Sequence, residues 1–298
     1  MPRVSVIVPV YNHAPFLQQR MDSIFGQSFQ DFELILLDDG STDGCREMIA
    51  SYHDHPKVSH IVCNEKNSGS AFKQWGKGVD LAQGEWLWIA ESDDWAEPDF
   101  LERMVSAADR HPNCVLVSSI PQYVFPDGHT WSRPVGKDED RLSHGKDFVR
   151  QNLLTGNRFS NVSALLLRRE AVEKTDFSRI ATMRLCGDWM LYVKLCELGD
   201  VLEVNKTLSH FRQHPDSTSA TAEKAGLPLT EGAEVLAYMA DTFRIPSGAY
   251  AREWGRNWAK LEKKHRFDAA TKQQILSKMH RFVRVRFWHR LYQIKLSL

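Results

Sequence analysis

The stretch EWLWIAESDDW, residues 85–95, sets the frame in which the rest of the chain is read. Trp86, Leu87, Trp88, Ile89 and Ala90 form an apolar run with no polar alternation, which suits a central strand buried on both faces. The run stops at Glu91, Ser92, Asp93 and Asp94, and the carboxyl end of a buried strand is where open α/β sheets bind ligands. Acidic groups this close repel one another unless a cation or hydrogen-bond donors compensate them. Hard oxygen ligands favour Mg²⁺ or Mn²⁺, ions that commonly bridge carboxylates to phosphate oxygens. A plainer use is also open, in which Asp93 or Asp94 caps the helix beginning near Pro98.

Outward from this strand, buried-strand patterns cover residues 4–10, 32–37, 58–63 and 114–119, and helical patterns lie between them. Pro15 opens the first helix, and a helix of about a dozen residues is expected after the polar turn at Asp38, Asp39 and Gly40. Asn67, Ser68 and Gly69 form a turn before a helix over 70–82, and another helix covers 98–109. This βαβα alternation predicts an α/β fold, a mostly parallel sheet with helices on both faces. Residues 120–160 carry few periodic signals beyond a short helix at 145–154. A strand is expected at 162–167, a helix at 169–174, a long helix opening at Gly187 with Asp188 at its start, and a strand at 201–204. The segment HFRQHPDSTS, residues 210–219, precedes a mainly helical remainder.

The chain of 298 residues carries no net charge, but the charge is unevenly placed. Residues 251–298 hold 13 Lys and Arg against 3 acidic residues, so the preceding body is acidic. No apolar run reaches the roughly 18 residues a spanning helix needs. The opening MPRVSVIVPVYN enters a strand directly and lacks a signal-peptide layout. Five scattered cysteines without metal-ligand spacing fit a reduced, cytoplasmic setting.

VSVIVPVYN (4–12), LLDDGSTDG (36–44), NSG (67–69), ESDDW (91–95) and GDWMLYVKL (187–195), taken together and in order, resemble the family-2 inverting glycosyltransferases with the GT-A fold, of the bacterial surface-polysaccharide type. The likeness covers about the first 215 residues. It implies a catalytic domain over 1–220, split into a nucleotide-binding half at 1–119 and an acceptor half at 120–220, followed by a helical extension at 221–298.

The same resemblance implies roles for individual residues. Pro9, Val10 and Tyr11 face a nucleotide base, with the Tyr11 ring stacked on uracil or thymine. Asp39 accepts a hydrogen bond from the base imide, while Asp38 orients the loop; either can instead cap the following helix. Asn67, Ser68 and Lys73 line the nucleotide sugar, although many relatives carry an Arg-Asn pair where this chain has Phe72, Lys73, Gln74 and Trp75. Asp94 binds Mn²⁺ or Mg²⁺ and Asp93 the ribose or a metal-bound water, an assignment that can be swapped. His214 completes the metal site and Arg212 reaches the diphosphate with its planar fork. Asp188 is the catalytic base that takes the proton from the acceptor hydroxyl, although an Asp at a helix start is also an ordinary cap. The partners implied are a UDP- or dTDP-sugar donor and a glycan or lipid-linked acceptor in O-antigen or capsule synthesis. An inactive sugar-nucleotide-binding or scaffolding module is the alternative.

In the tail, Arg284, Arg286, Arg290 and Lys295 alternate with Val285, Phe287, Trp288, Leu291, Tyr292 and Ile294, a mixture suited to an interfacial helix. Residues 275–298 are therefore expected either to lie on an anionic inner leaflet, making the protein peripheral to the plasma membrane, or to pack on the catalytic domain or a second copy as a homodimer. Nucleic acid is not an expected partner of an acidic body. A sugar nucleotidyltransferase needs a Gly-rich basic loop after the first strand, and a dinucleotide dehydrogenase needs GxGxxG there; the chain has neither.

Overall fold

The computed structural model describes residues 1–135, 139–214 and 218–297. Its ten strands are β1 (Val4–Val10), β2 (Phe32–Asp38), β3 (Val58–Cys63), β4 (Trp86–Ile89), β5 (Trp95–Ala96), β6 (Cys114–Val124), β7 (Thr130–Trp131), β8 (Arg141–Ser143), β9 (Leu165–Arg168) and β10 (Asp200–Arg212). They form one sheet in the order β3-β2-β1-β4-β9-β6-β10-β5, with β7 added to β6 and β8 to β10. β3, β2, β1 and β4 run parallel, as expected of βαβ units. β9 then enters antiparallel between β4 and β6, so the sheet is mixed from this point on.

The buried strands send alternate residues to opposite faces. Val6, Val8, Leu34, Leu36, Trp86 and Trp88 meet Leu17, Met21 and Ile24 of α1 (Ala14–Phe25), together with Phe100, Leu101 and Met104. Ile7, Ile35, Leu37, Leu87 and Ile89 meet Phe72, Trp75 and Val79 on the other face. The helix after β2, α2 (Cys45–Ala50), has 6 residues rather than a dozen, because the polar HDHP segment after Tyr52 gives a longer helix nothing to bury. α3 (Ala71–Leu81) and α4 (Phe100–Asp109) lie where expected. α5 (Gly145–Phe148) runs on into a five-residue π-helical turn at Val149–Leu153.

β10 corrects the sequence reading most. It extends over 13 residues, taking in His210, Phe211 and Arg212, and carries His214 to the site end of the sheet. Its pairing with β6 has three register shifts, which explains why no clean alternation marks it. Pro215, Asp216 and Ser217 of the HFRQHPDSTS segment lie outside the described residues.

The second half adds α6 (Arg169–Glu173), α7 (Phe177–Thr182) and α8 (Gly187–Leu198), and the extension adds α9 (Thr218–Lys224), α10 (Leu227–Thr242), α11 (Ala251–His265), α12 (Ala269–Lys278) and α13 (Val283–Ser297). The extension shares the core of the Ile7 face. Trp254 of α11 stacks on Trp189 of α8 with centroids 6.0 Å apart, and its indole N–H donates to the Leu154 carbonyl at 3.0 Å. Glu231 of α10 accepts the backbone N–H groups of Arg184, Leu185 and Cys186, each at 2.9 Å. These are donors at and just before the start of α8 that its own turns leave unpaired. Gly255 lets α13 lie close on α11, since a Cβ there would be 2.5 Å from that of Trp288. Of the three uses expected for the tail, packing on the catalytic domain is thus realised by residues up to Val285. No helix among the described residues is long and apolar enough to cross a membrane.

Candidate active site

The site is built at the carboxyl ends of β1, β2 and β4. β1 delivers Val10, which is buried, and Tyr11, which is 44 % exposed beside Asn12 in the left-handed region at φ 53°. Asn12 can hold that backbone because its side chain bonds locally, accepting the Thr42 N–H at 2.8 Å. β2 delivers Asp38 and Asp39. Asp38 accepts the N–H groups of Gly40 and Ser41, both at 3.2 Å, and Arg46 Nη2 at 3.0 Å, so it orients the loop.

Asp39 is buried and accepts Asn64 Nδ2 at 2.5 Å, the Ser68 N–H at 3.0 Å, Ser68 Oγ at 2.8 Å and Gln74 Nε2 at 2.6 Å. A carboxylate has about four acceptor positions, so this one is close to saturated by the protein. Asn67 closes its turn by accepting the Gly69 N–H at 2.6 Å, and Lys73 Nζ donates to the Ser68 carbonyl at 2.8 Å. Asp39, Asn67, Ser68 and Lys73 are therefore one connected wall. Gln74, which the sequence presents only as a departure from the Arg-Asn pattern, is its second anchor on α3.

β4 delivers the acidic cluster. Asp94 is buried, where its carboxylate accepts Asn161 Nδ2 at 2.9 Å, Ser163 Oγ at 2.7 Å and the Arg212 N–H at 3.0 Å. Arg20, fully buried on α1, places Nη2 3.9 Å from Asp94 and donates from Nε to the Glu91 carbonyl at 2.8 Å. Burial, then repulsion from Asp93, pushes the Asp94 carboxyl up despite Arg20. Glu91 accepts Trp75 Nε1 at 2.9 Å and is raised to about 8, chiefly by burial and secondarily by Asp93. For Asp93 burial is the largest influence and pushes upward, but the His214 hydrogen bond and the His13 charge together outweigh it and leave the carboxyl low.

One group among the described residues brings metal-type ligands together: His13, Asp93 and His214, whose ligand atoms all lie within 4.8 Å of one another. His214 Nε2 is 3.1 Å from Asp93 Oδ2, and His13 Nδ1 is held by Ser92 Oγ at 2.7 Å, a contact that fixes the ring orientation. Two imidazoles with one carboxylate form a mixed donor set, better matched to Mn²⁺ than to Mg²⁺ with its preference for oxygen. Asp93 is the acidic member and Asp94 lies outside the group, bonded as described. His13 is absent from the sequence-derived site. The signal for it was the rule that residues just past a buried parallel strand face the ligand end, applied to residues 91–94 after β4 but not to the residues after β1.

Arg212 is also at the site, with two of its five guanidinium N–H donors engaged. Nε donates to the Asp93 carbonyl at 2.9 Å and Nη2 to Gln19 Oε1 at 2.7 Å, and the guanidinium lies 4.5 Å from the Phe16 ring and 4.8 Å from the Trp95 ring. Asp188 stands in the first turn of α8, accepting Asn157 Nδ2 at 2.7 Å and the Trp189 N–H at 2.6 Å. Burial pushes its carboxyl up to about 7, although it keeps a partial opening to solvent. Gly187 brings this turn against α3, since a Cβ there would meet Phe72 at 2.6 Å. Tyr192, one turn along α8, feels the charges of both Asp188 and Glu91, which ties the helix start to the β4 cluster. Asn157, Asn161 and Ser163 hold Asp188 and Asp94. Asn157 comes from the stretch with few periodic signals, and Ser163 sits in a short turn at Val162–Ala164 where the sequence suggested a strand, which starts only at Leu165.

Residues 5–176 match the family described as Glycosyl transferase family 2. An uncharacterized glycosyltransferase of Haemophilus influenzae is 32 % identical over 180 residues, covering 60 % of this chain and 68 % of its own. TuaG of Bacillus subtilis, a glycosyltransferase provisionally named for teichuronic acid biosynthesis, is 25 % identical over 224 residues, covering 75 % and 84 %. The crystal structure of S. aureus TarS 1-349 in complex with UDP-GlcNAc is similar in fold, with a TM-score of 0.73 at 16 % identity, covering 95 % of this chain and 81 % of that one. The chain belongs to glycosyl transferase family 2, a bacterial-type glycosyltransferase built on the GT-A fold.

Proposed function

We propose that the protein transfers one sugar, with inversion, from a UDP- or dTDP-sugar to a hydroxyl of a glycan or lipid-linked glycan in bacterial polysaccharide synthesis of the O-antigen or capsule kind. The observation that carries this reading is the pairing of a His-Asp-His group at the end of β4 with a carboxylate raised to about 7 at the start of α8. The UDP-GlcNAc bound by TarS supports a nucleotide-sugar donor, and the teichuronic acid synthesis for which TuaG is named supports a bacterial polysaccharide product.

In this reading Tyr11 offers its exposed face to the base, beside Pro9 and Val10, and the Asp39 wall fixes the depth at which the base sits. A base-aromatic stack of this kind contributes ~1–3 kcal/mol. Asp93, His13 and His214 would hold Mn²⁺ or Mg²⁺, and Asp94 with Arg20 beneath them keeps the loop in place. When bound, the ion supplies neutralisation of the charge that gathers on the departing diphosphate. Arg212 clamps the acidic loop through Nε and one Nη2 hydrogen and keeps its remaining N–H groups for the diphosphate. Asp188 accepts the proton of the acceptor hydroxyl as that oxygen attacks the anomeric carbon, and a carboxyl near 7 is well matched to the task at neutral pH. Asn157 holds it in orientation.

The outer face of α13 supports peripheral attachment to an anionic inner leaflet on the cytoplasmic side. Val283, Phe287 and Leu291 recur at helical spacing and are 70 %, 59 % and 42 % exposed, with Arg284, Arg286 and Arg290 between them. A homodimer would use the same stripe. Thermal stabilisation and diphosphate release across a panel of nucleotide sugars, with Mn²⁺, Mg²⁺ or chelator, test the reading as a whole. One UDP- or dTDP-sugar is expected to give both signals in a metal-dependent way. Binding without release under every acceptor tried would favour an inactive sugar-nucleotide-binding module instead.

A further inference from the structure

Near Asp188 and Asp94 lies a cavity of about 130 Å³ to which no role has yet been given. Its floor is Ser118, Ser119 and Ile120 of β6, and its rim carries Trp131, Arg133, Arg158 and the buried Glu203. Five residues separate it from the site. Asn157 and Asn161 of this segment bond Asp188 and Asp94 at 2.7 and 2.9 Å, while Arg158, Phe159 and Ser160 between them line the cavity. Phe159 anchors the segment in the core by stacking on Phe148 at 5.4 Å. A ligand in the cavity therefore presses on the same short segment that orients the proposed base and the Asp94 loop.

The wall has a specific chemistry. Two guanidinium groups share one carboxylate: Arg158 Nη2 is 3.3 Å and Arg133 Nη2 is 3.9 Å from Glu203 Oε1. Both arginines stay more than a third exposed, and two guanidinium groups against one carboxylate leave one net positive charge at the rim of the cavity. Glu203 is 6 % exposed and too deep to neutralise both. Trp131 is 56 % exposed next to Tyr123, with centroids 5.3 Å apart, and Tyr123 is itself held by Ser160. An open indole with a flat face next to a pair of planar forks matches a ligand with one apolar face and one anionic group.

We infer that this cavity is an acceptor subsite that recognises a negatively charged saccharide unit, the anion on Arg133 and Arg158 and the ring or polyol against Trp131. The inference rests on the proposed transferase reading, since it supplies the acceptor for that reaction. The anion can be a sugar carboxylate or a phosphodiester, and the two share the chemistry that guanidinium forks recognise.

The test uses the full chain, saturated with UDP and Mn²⁺, titrated with a glucuronate-terminated disaccharide, a glycerol phosphodiester dimer and a neutral glucose disaccharide. One anionic probe is expected to bind at least about ten-fold more tightly than the neutral one, and Arg133→Gln with Arg158→Gln is expected to remove that preference. Whichever probe prevails identifies the source of the anion. Trp131→Ala, an exposed position that leaves folding intact, is expected to weaken anionic and neutral probes alike. Equal binding of all three probes, no binding of either anionic probe at millimolar concentration, or an unchanged preference in the double variant would overturn the inference. UDP affinity, read in the same samples, reports separately on the donor site, so loss of UDP binding would count against the transferase reading and not against this subsite.

Discussion

Residues 1–119 and residues 120–220, the two halves expected from the sequence, hold their carboxylates differently. In residues 1–119 the functional acids sit directly past regular strands, and Asp39 is saturated by four protein donors from Asn64, Ser68 and Gln74. In the second half, Asp188 is held by two donors, one of them from its own helix, and stays partly open. A saturated carboxylate is suited to shaping a wall, because its lone pairs are already committed. One with spare acceptor capacity and a raised carboxyl value is suited to taking up a proton. Asp39 is thus part of a committed wall and Asp188 a lightly restrained group, while Glu91, with one side-chain donor and raised to about 8, is the exception in the first half.

This contrast is most exposed to Asp188→Asn. Transfer is expected to fall by about 10³-fold or more while UDP binding changes little, measured by turnover and calorimetry on the same preparation. Stability should move the other way. Folding raises this carboxyl from its ordinary 3.8 to about 7, so the stability it contributes is complete below 3.8 and is lost as pH rises through 7. The melting temperature of the variant relative to the parent is therefore expected to increase between pH 5 and pH 8.

A smaller effect is expected at the His13, Asp93 and His214 group, which joins the two regions. Asp93→Ala or His214→Ala should reduce transfer by about 10²-fold and raise the Mn²⁺ concentration needed for half-activity, and chelator should abolish activity reversibly in the parent. Equal metal dependence in parent and variants would remove the His13, Asp93 and His214 group from the mechanism. The least effect on chemistry is expected from Phe287→Asp on α13, which should leave turnover on a water-soluble acceptor within about two-fold while abolishing flotation with anionic liposomes. Flotation unchanged in this variant would assign the exposed stripe to another contact.

Legibility in the sequence follows the same division. The βαβ half could be read because each strand is an unbroken apolar run, and the end of one of them brought out the 91–94 cluster, while Tyr11 and Asp39 came from the likeness of their motifs to the family. His13 and Arg20 escaped because a histidine just past a strand and an arginine on an amphipathic helix look like surface residues until the fold shows them turned inward, Arg20 with no exposure at all. Asn157, Asn161 and Ser163 escaped for a different reason. They act as positioning residues through side-chain hydrogen bonds across 31 to 69 residues of sequence, and such bonds leave no period behind. β10 was underestimated because its register shifts break the alternation that defines a strand. The packing of the 275–298 tail into the shared core through Ile275, Met279, Phe282 and Val285 was one of three arrangements its pattern allowed, whereas the contacts of Trp254 and Glu231 with the start of α8 left no sign in the sequence.

The most direct test of the Asp188 assignment is the pH dependence of turnover at saturating donor, acceptor and Mn²⁺, compared between the parent and Asn157→Ala. With Asp188 as the base, activity rises ten-fold per pH unit below about 7 and levels above it. Removing the Asn157 donor, which favours the charged form, shifts that limb to higher pH while the plateau is largely recovered. A parent profile flat from pH 5 to 9 with chemistry rate-limiting, or a limb unmoved by Asn157→Ala, would contradict the assignment.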